Sequence, residues 1–134
     1  LAMFRDPAQS AMVLVSLPED MPANETIELY AALTKELGMP VGAVVVNGVL
    51  PTLFTADERG LVESLPGAAA GTDVAPTAKA ARARSLRERV QEESIALLRA
   101  RIPSAFIELP YIFSTPFGRA DLDTLAKHLE KSGV

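Results

Sequence analysis

The chain has 134 residues, which is the length of one domain. Its 49% hydrophobic and 22% charged residues are typical of a globular protein, so extensive disorder is not expected. A net charge of −4 gives no basic surface for nucleic acid. With no cysteine and one histidine, the chain lacks the residues for a disulfide framework, a cysteine-ligated metal site or a Ser–His–Asp triad. It has no apolar run long enough to cross a membrane, and we expect a cytoplasmic protein without a signal peptide.

Three short apolar runs predict the strands, over residues 11–17, 41–47 and 104–109. The first two are nearly continuous in valine, leucine and methionine, which is typical of strands covered on both faces of a parallel sheet. The third run is weaker because Glu108 interrupts it. The chain opens with Leu1 and reaches an apolar run quickly, and we therefore expect it to be part of a longer protein.

Helical spacing of apolar residues predicts the segments between and after the strands. The first helix is expected over residues 24–37, with Asn24 as its N-cap and Gly38 as its stop. A short helix over 56–65, a flexible loop over 66–76 and a long helix over 77–101 follow. The last helix is expected over 120–131. The leucines and valine expected to face the core are Leu86, Val90, Leu97 and Leu98 in the long helix, and Leu122, Leu125 and Leu129 in the last.

The order β-α-β-α-α-β-α predicts an α/β fold, a parallel sheet with flanking helices. Three parallel strands by themselves leave edges and flanks poorly covered. Such a sheet is expected to be completed by further strands or by a second copy of the chain.

Ligands of open α/β sheets bind beyond the carboxyl ends of the strands, so the residues there are the candidates for a site. Asn47 follows three valines directly, and its amide can accept from the exocyclic amine of adenine and donate to N7. The alternative is that Asn47, which precedes Gly48, simply forms a turn.

The other strand ends carry weaker candidates. Pro110, Tyr111 and Ile112 either pack on the faces of a base or fill a loop, and Glu19 is either a ligand contact or a solvated acid. The arginines of the long helix fit a solvated helix face; they are Arg82, Arg84, Arg87 and Arg89.

The chain contains neither a G-x-x-x-x-G-K-[ST] loop nor a G-x-G-x-x-G motif, and no strand ends in an aspartate placed like a Walker-B magnesium ligand. Nothing in these residues is suited to hold a triphosphate or to activate water. We therefore expect the chain by itself to be catalytically inactive.

The motifs in their order resemble the C-terminal half of the ArsA family of ATPases, which includes arsenite-pump ATPases and factors that target tail-anchored membrane proteins. The resemblance rests on the runs Phe4-Arg5-Asp6-Pro7, Leu17-Pro18-Glu19, Asn24-Glu25-Thr26, Val44-Val45-Val46-Asn47 and Glu108-Leu109-Pro110-Tyr111. It implies a partial P-loop NTPase fold, of the Rossmann-like three-layer type, over residues 1–134.

The resemblance also implies a function. It matches Asn47 to the asparagine that reads adenine, Pro110, Tyr111 and Ile112 to the loop lining that base, and Glu19 to a glutamate near the nucleotide at a homodimer interface. It implies ATP or ADP with Mg²⁺ as the cofactor. The phosphate loop and magnesium ligands are expected on a preceding N-terminal half, which is absent from this chain.

The family resemblance further implies a homodimeric ATPase with a membrane-protein or anion-pump client. No Cys-x-x-Cys follows Asn47, which excludes a zinc-clamped dimer of the eukaryotic type for this chain. Two other interpretations stay open. One is a non-enzymatic partner subunit without a phosphate loop, and the other is a flavodoxin-like module that binds a small ligand.

Overall fold

The computed structural model describes residues 2–64 and 74–132, where three parallel strands alternate with helices. In chain order the elements are α1 (Ala2–Arg5), β1 (Met12–Ser16), α2 (Asp20–Ala31) with a π-helical extension (Ala32–Glu36), β2 (Val41–Val49), α3 (Ala56–Ser64), α4 (Val74–Arg101), β3 (Ala105–Pro110) and α5 (Arg119–Lys131). The predicted α/β class and the predicted order of elements are confirmed, with the short α1 in addition.

The sheet has the order β1-β2-β3, so the longest strand, β2, lies in the centre. Ser16 of β1 pairs with Val46, and Glu108 of β3 pairs with the same residue from the other side. Because β1 ends at Ser16, the last residues of β2 have a strand neighbour only in β3. The three strands lie where they were predicted, although β2 continues two positions further, to Val49.

Apolar side chains cover β2 on both faces, as its unbroken run of valines indicates. On one face Val44 and Val46 pack with Leu14 of β1 and with Leu98 near the end of α4. On the other face a smaller cluster contains Ala43, Val45 and Ile107. This second face is less well covered at β1, where the side chain of Val15 is 66% exposed.

Helix α2 begins earlier than predicted, and Asn24 is not its N-cap. Glu19 occupies that position with extended backbone, and Pro22 lies in the first turn, where a missing N–H costs no helical hydrogen bond. The side chain of Asn24 donates instead to the backbone oxygen of Asp20, at 2.8 Å. The predicted stop is confirmed, since Gly38 adopts a φ of +66° that favours glycine.

Helix α4 also begins earlier than predicted. Val74 and Pro76 belong to its first turn, so the C-terminal end of the predicted 66–76 loop is helical. The remainder of that loop, and Leu65 at the end of the predicted short helix, lie outside the described residues.

The predicted core face of α4 is wrong for its first half. Leu86 is 58% exposed, whereas Leu98 is buried as predicted, and Val90 and Leu97 are partly buried. The residues that turn inward instead are polar, namely Ser85, Glu88, Gln91 and Ser94. Counting apolar residues does not identify this face, because Glu88 and Gln91 contact polar backbone rather than a hydrophobic core.

Helix α5 contacts β3 but does not bury its leucines as predicted. Leu122 and Leu129 are exposed, and Leu125 is partly buried. The helix begins after Gly118, whose N–H donates to the carboxylate of Asp121 at 2.7 Å. The helix predicted from its amphipathic pattern is confirmed.

Candidate functional site

The structure brings Asn47 and the Pro110–Tyr111 segment together at the carboxyl edge of the sheet. Asn47 pairs in register with Leu109, and Val49 pairs with Pro110 after an irregularity at Gly48. The pairing continues one residue past β3, because the N–H of Tyr111 donates to the Val49 oxygen at 2.8 Å. Two candidates that are far apart in the sequence are therefore neighbours in the sheet.

Gly48 produces the irregularity that sets the end of β2. Its φ of +78° lies in the left-handed region, where a side chain is strained. A Cβ at Gly48 would stand 3.8 Å from Cδ2 of Tyr111, so the phenol ring lies close to this stretch of backbone. The ring of Tyr111 is exposed and is tilted against that of Phe113, with 4.7 Å between ring centroids.

Asn47 lies within β2, so the interpretation of Asn47-Gly48 as a turn is wrong. The side chain of Asn47 is exposed at the end of a strand whose four preceding residues are buried. Among the described residues no partner hydrogen-bonds to its amide. The amide of Asn47 thus presents a donor and an acceptor to solvent at the end of β2.

The structure relates the remaining candidate residues less directly to Asn47. Pro110 ends β3, and Ile112 is partly buried beyond it. Glu19 is exposed at the start of α2 and makes no side-chain hydrogen bond there. A shallow groove of about 280 Å³ lies nearby, lined by the end of β1 and by α2, including Ser16, Glu25 and Thr26. Neither Asn47 nor Tyr111 lines that groove.

Sequence reasoning missed a row of polar side chains on α4 that holds the loop after β2. Gln91 pairs with both backbone groups of Leu50: its Oε1 accepts from the N–H at 2.7 Å, and its Nε2 donates to the oxygen at 3.0 Å. One turn earlier, Glu88 accepts from the N–H of Leu53 at 2.9 Å. Arg84 donates to the Pro51 oxygen. The spacing 84, 88, 91 is that of one helix face, which is the signal that could have revealed the row.

Glu88 is the most buried charge of this row, at 1% exposure of its side chain. Arg84 donates to it at 2.8 Å, and Arg59 of α3 approaches its second oxygen at 3.3 Å. Burial raises the pKa of Glu88, but the hydrogen bonds from Arg84 and from the N–H groups of Leu53 and Phe54 outweigh it, so the pKa lies below its ordinary value. Glu88 is therefore ionised at neutral pH.

The prediction that the arginines of α4 are all solvated is wrong. Arg84 is largely buried against Glu88, and Arg89 forms an ion pair with Glu63 of α3. Arg82 donates to the Val62 oxygen at 3.4 Å, whereas Arg87 is exposed as expected. Three of the four therefore fasten α3 or the loop after β2 to the long helix.

Within residues 2–64 and 74–132, no group of three or more histidine, aspartate or glutamate side chains comes together. In the same part of the chain, no helix has both the length and the apolar character needed to cross a membrane.

Comparison with known proteins shows a family likeness for one part of the chain. Residues 1–59 match the family model described as anion-transporting ATPase, the ArsA type. No curated protein matches the chain. The matching stretch runs from α1 to the start of α3 and includes both Glu19 and Asn47, while β3 and Tyr111 lie beyond it. Residues 1–59 are thus similar to the ArsA family of anion-transporting ATPases, which agrees with the resemblance inferred from the motifs.

Proposed function

We propose that this chain supplies the adenine-binding part of an ArsA-type ATPase. The observation that supports the proposal is the pairing of β2 with β3, which brings the backbone of Asn47 and that of Pro110 and Tyr111 to neighbouring positions at one edge of the sheet. An amide offers adenine one acceptor and one donor, and an aromatic ring offers its face to the base. The family match over residues 1–59 supports the nucleotide class.

The proposal predicts that the chain prefers adenine to guanine, because of the donor and acceptor of the amide. Asn47 can accept from the adenine amine while it donates to N7, whereas guanine presents an oxygen where adenine has the amine. A good amide–base pair contributes about 1–3 kcal/mol of discrimination. Affinity for the base alone is expected to be weak, because a phosphate loop normally carries much of the nucleotide's binding.

The experiment is a titration of the isotope-labelled chain with adenosine and guanosine monophosphate, followed through its backbone amide signals. We expect adenosine monophosphate to shift the signals of Asn47, Gly48 and Tyr111 at concentrations about tenfold lower than guanosine monophosphate. Asn47→Ala removes this preference. Asn24→Ala is the matched control, because that exposed asparagine hydrogen-bonds to Asp20 on α2, away from the base site. Equal response to both nucleotides would favour the flavodoxin-like module.

The same family relationship supports a wider proposal for the whole protein. There, ATP hydrolysis with Mg²⁺ would drive opening and closing of a cytoplasmic homodimer that serves a membrane-protein or anion-pump client. Glu19 belongs to the proposed dimer surface, since it is exposed beyond the end of β1. The magnesium ligands are assigned to none of the described residues.

The dimer part is tested by sedimentation of the chain over a range of concentrations, with and without adenosine diphosphate. We expect the chain to form a dimer whose population rises with concentration. Glu19→Arg is expected to weaken that dimer, because a two-fold symmetric interface contains the reversed charge on both subunits. Glu36→Arg, at an exposed site on the π-helical extension, serves as the control. A monomer throughout, or equal behaviour of both variants, contradicts the assignment of Glu19.

A further inference from the structure

The end of β2 that carries Asn47 has only one strand beside it. On the β1 side, pairing stops at Ser16 and Val46, one residue before Asn47. On the β3 side, Tyr111 fixes Val49 through a backbone hydrogen bond of 2.8 Å. Gly48, between Asn47 and Val49, is the most adaptable point of this segment. Whatever holds the chain just after Val49 therefore decides how firmly Asn47 is oriented.

Gln91 is the group that holds the chain there. Its carboxamide forms two reciprocal hydrogen bonds with the N–H and the oxygen of Leu50, at 2.7 and 3.0 Å. A neighbouring strand would form the same two hydrogen bonds with its backbone, whereas here a side chain of α4 forms them. Gln91 is itself buried, so both bonds are shielded from competing water.

The next two contacts of the row extend this attachment along the loop. Arg84 donates to the Pro51 oxygen, and Glu88 accepts from the Leu53 N–H. Arg84 and Glu88 are joined to each other at 2.8 Å, so these two side chains act as one unit. The backbone after β2 is thus fastened to α4 at three positions within four residues, beginning with the one next to Val49.

We propose that Gln91 is a positioning residue of the base site: by holding the backbone of Leu50, it sets the orientation in which Asn47 meets the base. The inference rests on the proposed adenine site. It adds that base preference is determined in part by α4, which itself does not contact the base. Glu88 and Arg84 support the same loop from the preceding turns.

The test is a double-mutant cycle of Asn47→Ala and Gln91→Ala, with adenosine and guanosine monophosphate as probes and amide signals as the readout. Gln91→Ala is expected to weaken adenosine monophosphate binding about tenfold, about 1.4 kcal/mol, with little change for guanosine monophosphate. In the Asn47→Ala background the same substitution has little further effect, because Gln91 acts through Asn47. Glu93→Ala, an exposed position on α4, is the matched control.

A second variant separates positioning from packing. Gln91→Met fills similar space without either hydrogen bond, so it remains informative if the alanine variant fails to fold. It is expected to lose the adenine preference as Gln91→Ala does, and to speed hydrogen exchange at the Leu50 N–H while leaving exchange at Val45 unchanged.

The outcomes separate this inference from the proposed site. If wild type prefers adenine and a folded Gln91→Met does too, the positioning role is overturned and the base site stands. The positioning role is also overturned if Gln91→Ala weakens binding equally with and without Asn47. If the wild type shows no base preference, the base site is overturned, and the positioning role with it.

Discussion

Asn47 and Gly48, two adjacent residues at the end of β2, have different structural roles. Asn47 keeps regular pairing with Leu109 and presents its amide to solvent. Gly48 then adopts a φ of +78°, which lets the chain pass close to Tyr111. A residue with a side chain at position 48 would disfavour this backbone, while the space itself would admit a methyl group.

The first prediction compares two glycines. Gly48→Ala is expected to lower the free energy of unfolding by about 1–2 kcal/mol, because its φ is positive. Gly60→Ala is expected to raise it by about 0.5–1 kcal/mol, because Gly60 is helical and a Cβ there meets nothing within 4 Å. Urea denaturation measures both. Similar values for the two variants would contradict the left-handed backbone at Gly48.

The second prediction concerns Glu88 and pH. Its pKa in the folded chain lies below the ordinary 4.5, so folding favours the ionised form. This stabilisation is complete above about pH 4.5 and is lost as the pH falls through the lower, folded-state pKa. The groups that face Glu88 are Arg84, Arg59 and the N–H groups of Leu53 and Phe54, and Glu92 shares Arg59.

Glu88→Gln is accordingly expected to be less stable than wild type by about 1–3 kcal/mol at pH 7, with a difference that shrinks below pH 4.5. Urea denaturation between pH 3 and pH 7 measures the difference directly. Asp123→Asn is the control, since that carboxylate is exposed on α5. A difference that stays constant with pH would show that packing, rather than charge, accounts for the loss.

At the scale of elements, the contrast between α4 and the strands explains what the sequence could reveal. A run such as residues 43–46 identifies a buried strand because consecutive apolar side chains need apolar neighbours on both faces of the sheet. The inward face of α4 is recognisable only when its partners are known, since Glu88 and Gln91 are buried by pairing with the backbone of residues 50–53. Burial of polar groups depends on tertiary contacts that periodicity does not encode.

The candidate site, too, could be predicted only in part from the sequence. Asn47 and Tyr111 could be placed at one edge from the sequence, because the carboxyl ends of parallel strands share an edge. The hydrogen bond from Tyr111 to Val49 and the attachment by Gln91 could not, because both depend on register and on helix orientation. The sequence also predicted the start of a helix too late where a proline lies in the first turn, as at Pro22 of α2 and Pro76 of α4.

The third prediction compares the central strand with its edge neighbour. Val46→Ala is expected to lower the free energy of unfolding by about 2 kcal/mol, since this side chain is buried in the cluster that contains Leu14 and Leu98. Val15→Ala is expected to cost less than about 0.5 kcal/mol, because Val15 is largely exposed. Chemical denaturation checks both. A Val15 loss as large as that of Val46 would reveal that another surface covers β1 in solution.

For the whole molecule, no phosphate-binding glycine loop accompanies the proposed base site in the sequence. Asn47 and Tyr111 lie at neighbouring strand ends and Glu19 is exposed beyond β1, whereas the described ranges contain no group of three or more side chains that could hold a metal ion. A nucleotide held by its base alone is not positioned for attack on the terminal phosphate, because that reaction depends on positioning and on stabilising phosphate charge.

The fourth prediction is that this chain alone releases no phosphate from ATP with Mg²⁺ above the uncatalysed rate. The sequence contains no phosphate-binding glycine loop, so neither the triphosphate nor an attacking water is held. A sensitive phosphate-release assay with wild type and Asn47→Ala tests it. Turnover that depends on Asn47 would mean that the chain is an enzyme in its own right.

The central position of β2 also determines the order in which its two edges are paired during synthesis of the chain. During synthesis β2 can pair with β1 as soon as it emerges, but its other edge must wait for β3, which follows only after residues 50–104. At about 5–20 residues per second this interval lasts several seconds. The strand with the most buried valines therefore has one edge unpaired for several seconds in the nascent chain, the stage at which a chaperone would bind it.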